Sequence, residues 1–515
     1  MGEPVPKILG ADFELANFIE MPGHPHGRAS EAANLLLAEI HGFPRGGRRT
    51  YSQIDYRRRF LAQNGGSFYI DSEHLEGCTP EHASAFSHAL HMHAGLRLAR
   101  RAQLAAGEGL PRGAKLTVLA NNCDGHVSYG CHLNVQTTAK TFADIMGRKP
   151  HAGGLLATHL ATSLPYTGQG MAGAANGRSA CHFQLSQRAD WIETFASIDT
   201  MQRRPLINQR DEPHAGDDLA RIHIIPLDFV LMPIANVLRA GTTQLVLAMC
   251  EAKWIDPAVA LDDPVAAVSC ISRDLSLTER FLTATRGKAA TALDLQQEIL
   301  QLAGEALAAG VLGDSVPGAG EILHLWQETL DLLRRRDLPA LARRCDNWLK
   351  YLLLDRRRNR HGLAWESSEL KALDLRYSSL DLDEGLFFQM AHAGCIEGWP
   401  GVDAIERCAD EPPDNTRAYL RSHVLRRWGA DVSDMDWSWI DFQIRSHRGW
   451  WSRARIAMPE PHRHTRYECE QFLQQCESLD DLVEAYGDPP LSAARHSSSN
   501  RISGYGRNGN DDNGV

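Results

Sequence analysis

The chain has 515 residues, 43% of them hydrophobic and 23% charged, with a net charge of −10. These proportions describe a globular protein large enough for more than one core, and the acidic balance argues against a general nucleic-acid binder. Eleven cysteines without a C-x-x-C pair, and no signal-peptide pattern, point to free thiols in a reducing, cytoplasmic compartment; no apolar run reaches the roughly 20 residues of a membrane span.

Residues 8–18 (ILGADFELANF) alternate as a strand, which puts Asp12 and Glu14 on one face. Acids there are costly if they point inward, unless paired, hydrated or metal-bound; the alternative is an exposed edge strand. Residues 30–40 read as a helix with Ser30 as its N-cap. The basic run 45–59 (RGGRRTYSQIDYRRR) is either solvated surface or a contact for an acidic partner.

Residues 66–81 (GSFYIDSEHLEGCTPE) concentrate acids and one histidine behind a short aromatic strand. Tyr69 and Asp71 share its face, and Asp71, Glu73, Glu76 and Glu81 suit either a solvated loop or a divalent-metal and catalytic site. A long helix is predicted from Pro80 to about Ala106, with His88, His91 and His93 on a half-exposed face. Lys115–Ala120 is a strand, and a turn at Asp124-Gly125 would return His132 beside it, among Asn121, Asn122, Asp124, Tyr129 and Asn134. Residues 151–178, rich in Gly, Ala and Thr, read as a mobile loop without P-loop spacing.

The polar segments 183–190, 203–215 and 221–226 place Arg188, Arg204, Arg210, His214 and His223 among strand-like runs. Guanidinium forks there suit the oxygens of a nucleotide triphosphate, or else a network of structural ion pairs. From 260 to 355 the pattern is mostly helical. The double proline of DEPPDN (410–415) marks a boundary, giving a large domain over 1–410, a small Trp-rich domain over 411–490 and a disordered polar tail over 491–515.

Taken together, NNCDGHVSYGCHLN, FQLSQRADWIE, RRPLINQRDEPHA, GTTQLVL and EPPDNTRAYLR resemble the Pup ligase and Pup deamidase/depupylase family. FQLSQRAD, TGQG, GTT and the D-x-x-H-x-E spacing from Asp71 to Glu76 are similar to the deamidase branch, and Cys131 to the ligase branch. The resemblance implies an α+β, glutamine-synthetase-like large domain, with a curved antiparallel sheet and packed helices, plus a small C-terminal domain. It implies ATP and Mg²⁺ (or Mn²⁺) as cofactors, a small Pup-like protein modifier or its conjugates as partner, and a monomer. Residue by residue, it makes Asp12, Glu14, Glu76, His132 and His223 metal or phosphate-side ligands. Tyr69, Arg188, Arg204 and Arg210 then lie around the nucleotide, and Asp71 is the catalytic aspartate.

Two departures stand out. Leu133 replaces the family's Glu in GCHEN or GTHEN, and Leu227-Asp228-Phe229-Val230 replaces GD(S/A)N. The first is expected to remove an acid near the metals and the second to remove polar groups. The activity implied is hydrolysis of a side-chain amide or isopeptide with Asp71 as nucleophile or base. The alternatives are ligation through a γ-glutamyl phosphate and a non-catalytic relative that only binds the modifier.

Overall fold

The computed structural model describes residues 3–21, 23, 27–44, 58–148, 150–199, 202–285, 287, 289–445 and 451–487. The tail 491–515 and most of the basic run 45–59 lie outside them. Ten strands form one sheet: β1 (Leu9–Glu20), β2 (Phe43–Pro44), β3 (Arg59–Phe60), β4 (Ser67–Asp71), β5 (His74–Cys78), β6 (Lys115–Leu119), β7 (Cys131–Thr138), β8 (Ile192–Ser197), β9 (Arg204–Asn208) and β10 (Leu219–Ile224). Their spatial order is β8-β9-β10-β7-β1-β5-β4-β3-β2, with β6 also on β1. All pairs are antiparallel except β8 with β9, which is parallel.

The long strand β1 is central because its pattern alternates cleanly. Ala11, Phe13 and Leu15 are buried in the core, and Asp12 and Glu14 share the opposite, more open face. The exposed-edge alternative fails, since β5 and β7 flank β1 on its two sides. The expected pairing of the His132 strand with Lys115–Ala120 is also corrected. β6 and β7 do not pair with each other; they run successively antiparallel to the two halves of β1, and residues 120–130 loop out between them.

Helices cover the buried face: α1 (Ala29–Glu39), α2 (Ala85–Glu108), α3 (Pro150–Thr162), α4 (Pro233–Ala252), α5 (Ala292–Ala308), α6 (Ala319–Arg335), α7 (Asp346–His361) and α8 (Val402–Asp410). α1 starts at Ala29 with no side-chain cap, so Ser30 lies inside it. α2 starts later than expected, at Ala85, because Ser84 caps it by accepting from the Phe86 N–H. Most of 151–178 is not a loop: α3 and a turn over Leu164–Thr167 are buried. The small residues that suggested mobility instead allow close packing, as where a Cβ on Gly154 would sit 3.0 Å from Ala260 Cβ.

A third apolar cluster joins α9 (Ala418–Trp428), the sheet β11 (Val432–Asp436), β12 (Trp439–Arg445) and β13 (Trp451–Ala457), and the helices α10 (Arg466–Gln475) and α11 (Leu479–Tyr486). Phe60 of β3 inserts into that cluster and meets Trp437 edge-on at 5.2 Å. Beneath the site, Phe13 packs edge-on against Phe68 and Phe229 at 6.1 and 5.5 Å. A Cβ on Gly77 or Gly95 would come within 2.4 or 2.5 Å of Phe13 Cζ. Gly95→Ala should therefore overpack this socket and cost about 1–3 kcal/mol, read as a lower urea midpoint.

His88, His91 and His93 are buried rather than half-exposed. His82 joins them, its ring 4.4 Å from His91 and 5.6 Å from His88. Burial holds all four below the ordinary histidine range, His91 and His93 at about 4. The unfolded chain then takes up protons the fold refuses, so the contribution of these histidines to stability is complete above pH 6.5 and is lost as pH drops toward 4. Urea unfolding should show that slope between pH 6.5 and 4, and His91→Gln should flatten it.

Candidate active site

β1, β5, β4 and β7 carry the predicted acids and His132 into one patch through register alone. Glu14 faces Glu76 across β1–β5, and Glu76 faces Tyr69 across β5–β4. Asp12 lies between Cys78 on one side and His132 on the other, and His223 of β10 is opposite Asn134 of β7. Because side chains alternate, the polar groups of these rows emerge on the same face. Asp71 closes β4, and the Ser72-Glu73 turn returns the chain to His74. Ser72 takes φ 53°, a strained left-handed conformation for a residue with a side chain, directly beside Asp71.

Two groups of possible metal ligands share Asp12. The donor atoms of Asp12, His132 and His223 lie within 4.8 Å of one another, as do those of Asp12, Glu76 and Cys78. Glu14 belongs to neither group; it accepts from the Gly130 N–H at 2.6 Å. The surroundings separate the acids. For Asp12, burial is outweighed by Arg221, by the 2.9 Å bond from Asn134 and by His132, so its carboxyl is held below the ordinary range. Burial and Asp71 push Glu14 up to about 7. Burial, Glu14, Asp12 and Asp71 raise Glu76 well above its ordinary value, against a hydrogen bond from Tyr69.

Burial, then nearby arginines, lowers His132 to about 3 and His223 well below the usual range, leaving both neutral and able to donate a lone pair. Glu76 Oε2 and His223 Nε2 are buried without hydrogen-bond partners. Orphaned donor atoms amid mutually repelling carboxylates fit a hard divalent cation. The Cys78 thiol is pushed up by burial and Asp12, so it stays protonated and is a poor ligand for such an ion.

The arginines divide. Arg188 is enclosed, with Nη1 on the Tyr129 carbonyl and 3.3 Å from Ser128 Oγ, and Nε 3.0 Å from the Ile225 carbonyl. It braces the 120–130 loop behind Glu14. Arg204 lies over the Trp191 ring at 5.2 Å and donates to the Ser128 carbonyl at 2.6 Å, within electrostatic reach of Glu14. Arg210 is exposed on the turn after β9, near His223.

Both sequence departures point into the core, away from the face that carries Asp12 and His132. Leu133 is one residue out of phase with His132 and is buried in the core among Leu9 and Val135. No acid is therefore missing from the Asp12–His132 face on its account. Val230 and Phe229 are likewise buried, while Asp228 accepts from the Gln169, Gln187 and Arg188 N–H groups and from Ser186 Oγ at 2.8–3.1 Å.

Sequence reasoning missed three contributors, Gly130, Arg221 and Arg58, and named Asn134 only as a neighbour of His132. Gly130 is the slot between His132 and Glu14, since a Cβ there would lie 2.5 Å from His132 Nε2 and 2.8 Å from Glu14 Oε1. Asn134 and Arg221 hold Asp12. Arg58 lies 4.0 Å over the Tyr69 ring and donates to Cys78 Sγ and Ser67 Oγ at 3.2 and 2.9 Å. Only the G-C-H motif hinted at the first; the others depend on cross-strand neighbours. Gly130→Ala should weaken Mn²⁺ binding by about 10-fold or more, followed by calorimetry, with the far-UV spectrum unchanged.

Comparison with known proteins now bears on this site. A family model described as "Pup-ligase protein" matches residues 30–441. The chain is 34% identical over 430 residues to the depupylase of Acidothermus cellulolyticus, covering 82% of each. It has the same identity over 432 residues to the Pup deamidase/depupylase of Mycobacterium tuberculosis, again covering 82% of each. With the Pup–protein ligase of Actinosynnema mirum it shares 31% over 477 residues, 91% of this chain and 99% of that one. The ligase PafA in complex with Pup superposes with a TM-score of 0.76 at 24% identity, over 98% of this chain and 99% of that one. PafA in complex with ADP gives 0.69 at 26% identity, over 82% and 90%. The expected α+β, glutamine-synthetase-like architecture stands with that fold.

Proposed function

The chain belongs to the Pup-ligase family, and from that premise we propose that it is an ATP- and Mg²⁺-dependent amidase acting on a small Pup-like modifier or its conjugates. The single observation that supports this reading most is the β4–β5 hairpin. It brings Tyr69, Asp71 and Glu76 onto the same sheet face as Asp12, Glu14 and His132.

Asp12, Glu76, His132 and His223 would hold divalent cation, with Glu14 beside them. When bound, the ion would neutralise nucleotide phosphates and the oxyanion that develops on the substrate carbonyl. Arg204 and Arg210 lie on the side where the phosphates would enter and would pair with their oxygens. Arg188 acts at one remove, by holding the Tyr129 carbonyl and hence the loop that ends at Gly130. Tyr69 keeps its proton, because burial and Glu76 push its phenol well above the usual range, so it donates to Glu76 throughout.

Asp71, half-buried at the hairpin tip, would meet incoming substrate. As nucleophile, its carboxylate forms a bond to the amide carbon, the C–N bond breaks and the amine leaves with a proton from water. A second water then opens the acyl-aspartate and regenerates the carboxylate. As base, Asp71 would take a proton from the attacking water instead. The leaving group is ammonia from a C-terminal glutamine, or the lysine of a tagged protein.

Ligation is the second reading, favoured by the 99% coverage of a Pup–protein ligase. There Asp71 deprotonates the incoming amine. The binding-only reading loses its sequence support, because Leu133 and Val230 point into the core. Residues 411–487 serve as the small C-terminal domain and residues 3–410 as the catalytic one. A cytoplasmic location agrees with a nucleotide-dependent enzyme that has eleven free cysteines.

Supplied with Mg²⁺-ATP and a modifier ending in glutamine, the protein should release ammonia. Asp71→Asn should reduce that rate by about 100-fold or more while leaving nucleotide affinity intact. ATP consumption coupled to new isopeptide bonds, without ammonia release, would establish the ligase instead.

A further inference from the structure

The hairpin that carries Tyr69, Asp71 and Glu76 is gripped at its base by α9 and the two residues that lead into it. On the entering side, Arg421 Nη2 donates to the Gly65 carbonyl at 2.8 Å, Ser422 Oγ to the Ala62 carbonyl at 2.6 Å and Arg426 Nε to the same carbonyl at 2.8 Å. Gly65 has φ +77°, and a Cβ on it would lie 3.0 Å from the Ala418 carbonyl oxygen, so the loop lies directly on α9. On the leaving side, Glu81 sits three residues beyond β5. It accepts from Arg417 Nε at 2.7 Å, from Arg421 Nη1 at 3.0 Å and from Arg421 Nη2, while Thr416 Oγ1 donates to its carbonyl at 2.9 Å. Arg421 thus holds both ends of the hairpin at once.

Burying these charges is expensive. Arg417 and Arg421 are 2% and 0% exposed, and their remaining donors go to the carbonyls of His214, Met458 and Trp437. For stability alone, apolar residues of similar volume serve as well as a buried ion pair; what a fixed guanidinium network adds is one geometry. The geometry held here is that of the strand pair ending in Asp71. By contrast, His132, Arg204 and His223 stand on β7, β9 and β10, with no hydrogen bond from Arg417, Arg421, Ser422 or Arg426 reaching those strands among the described residues.

We propose that Arg417 and Arg421 are positioning residues: α9 sets the angle at which the β4–β5 hairpin presents Asp71 to the metal and nucleotide side of the sheet. The role rests on the reading of Asp71 given above, but the mechanical part does not. The C-terminal element is then part of the catalytic apparatus although it lends no group to the reaction.

Two conservative variants test this in the full-length protein: Glu81→Gln, which keeps the shape but drops the charge, and Arg421→Lys, which keeps the charge but loses the fork. Hydrogen exchange reads the mechanical part. Amides of 67–78 should exchange at least about 10-fold faster in both variants, while those of β7 and β10 stay within about two-fold of the wild type. Turnover reads the positioning: kcat should fall about 10-fold or more with Mg²⁺-ATP affinity changed less than about three-fold. Ser422→Ala, a milder loss on the same side, should move both readouts in the same direction to a smaller extent, and serves if a charge variant fails to fold.

Unchanged exchange of 67–78 in a folded variant would overturn the proposal, as would equal loosening of β7 and β10 or unchanged kcat despite a loosened hairpin. A wild type that neither releases ammonia nor ligates would instead overturn the functional reading, leaving the exchange result to judge the clamp.

Discussion

Mutual repulsion among Asp12, Glu14, Glu76 and Asp71 is the constraint around which this molecule is built. Four acids on adjacent strands of one sheet face disfavour the fold unless something offsets them. The protein offsets part of the charge itself. Arg221 and Asn134 hold Asp12, Tyr69 bonds Glu76, and the Gly130 N–H takes Glu14. The remainder is left open, in Glu76 Oε2 and His223 Nε2, which are buried without partners and which the proposed function assigns to a divalent cation.

Everything behind the patch keeps it in place. Phe13 and its aromatic neighbours leave room only for glycine at 77 and 95, so the strands lie flush over α2. Arg188 fastens the loop that ends in the Gly130 slot, and Asp228 in turn accepts from the Arg188 backbone. Rigid backing of this kind is what preorganised electrostatics needs, because groups that must reorganise on binding lose part of their effect.

The sequence conveyed periodicity well and neighbourhood poorly. Alternation was enough to put Asp12 and Glu14 of residues 8–18 on one face, and Tyr69 with Asp71 of residues 66–81, because the two-residue period of a strand is a local property. The partners of these residues were not local. Asn134 and Arg221 reach Asp12 only through the β1–β7–β10 pairings, and Arg58 reaches Tyr69 and Cys78 only through β3–β4–β5. Composition misled where small residues served packing: 151–178 is mainly helix, and α2 buries histidines that a surface reading would expose. The two departures from the family motifs looked ominous in one dimension. Strand parity settles them, since Leu133 stands one residue away from His132 and hence on the other face.

The interruption between β6 and β7 has a consequence for how such a protein can diversify. Residues 120–130 leave the line of a strand and rejoin it, and the two flanking strands are each locked against their own half of β1. Lengthening or rewriting the excursion between Cys123 and Ser128, which bridge its neck, would leave the Asp12–His132 register untouched. The length and sequence of that rim can therefore vary while the pairing that sets Asp12 beside His132 is inherited unaltered, a separation of variable and fixed parts written into the hydrogen-bond ladder itself.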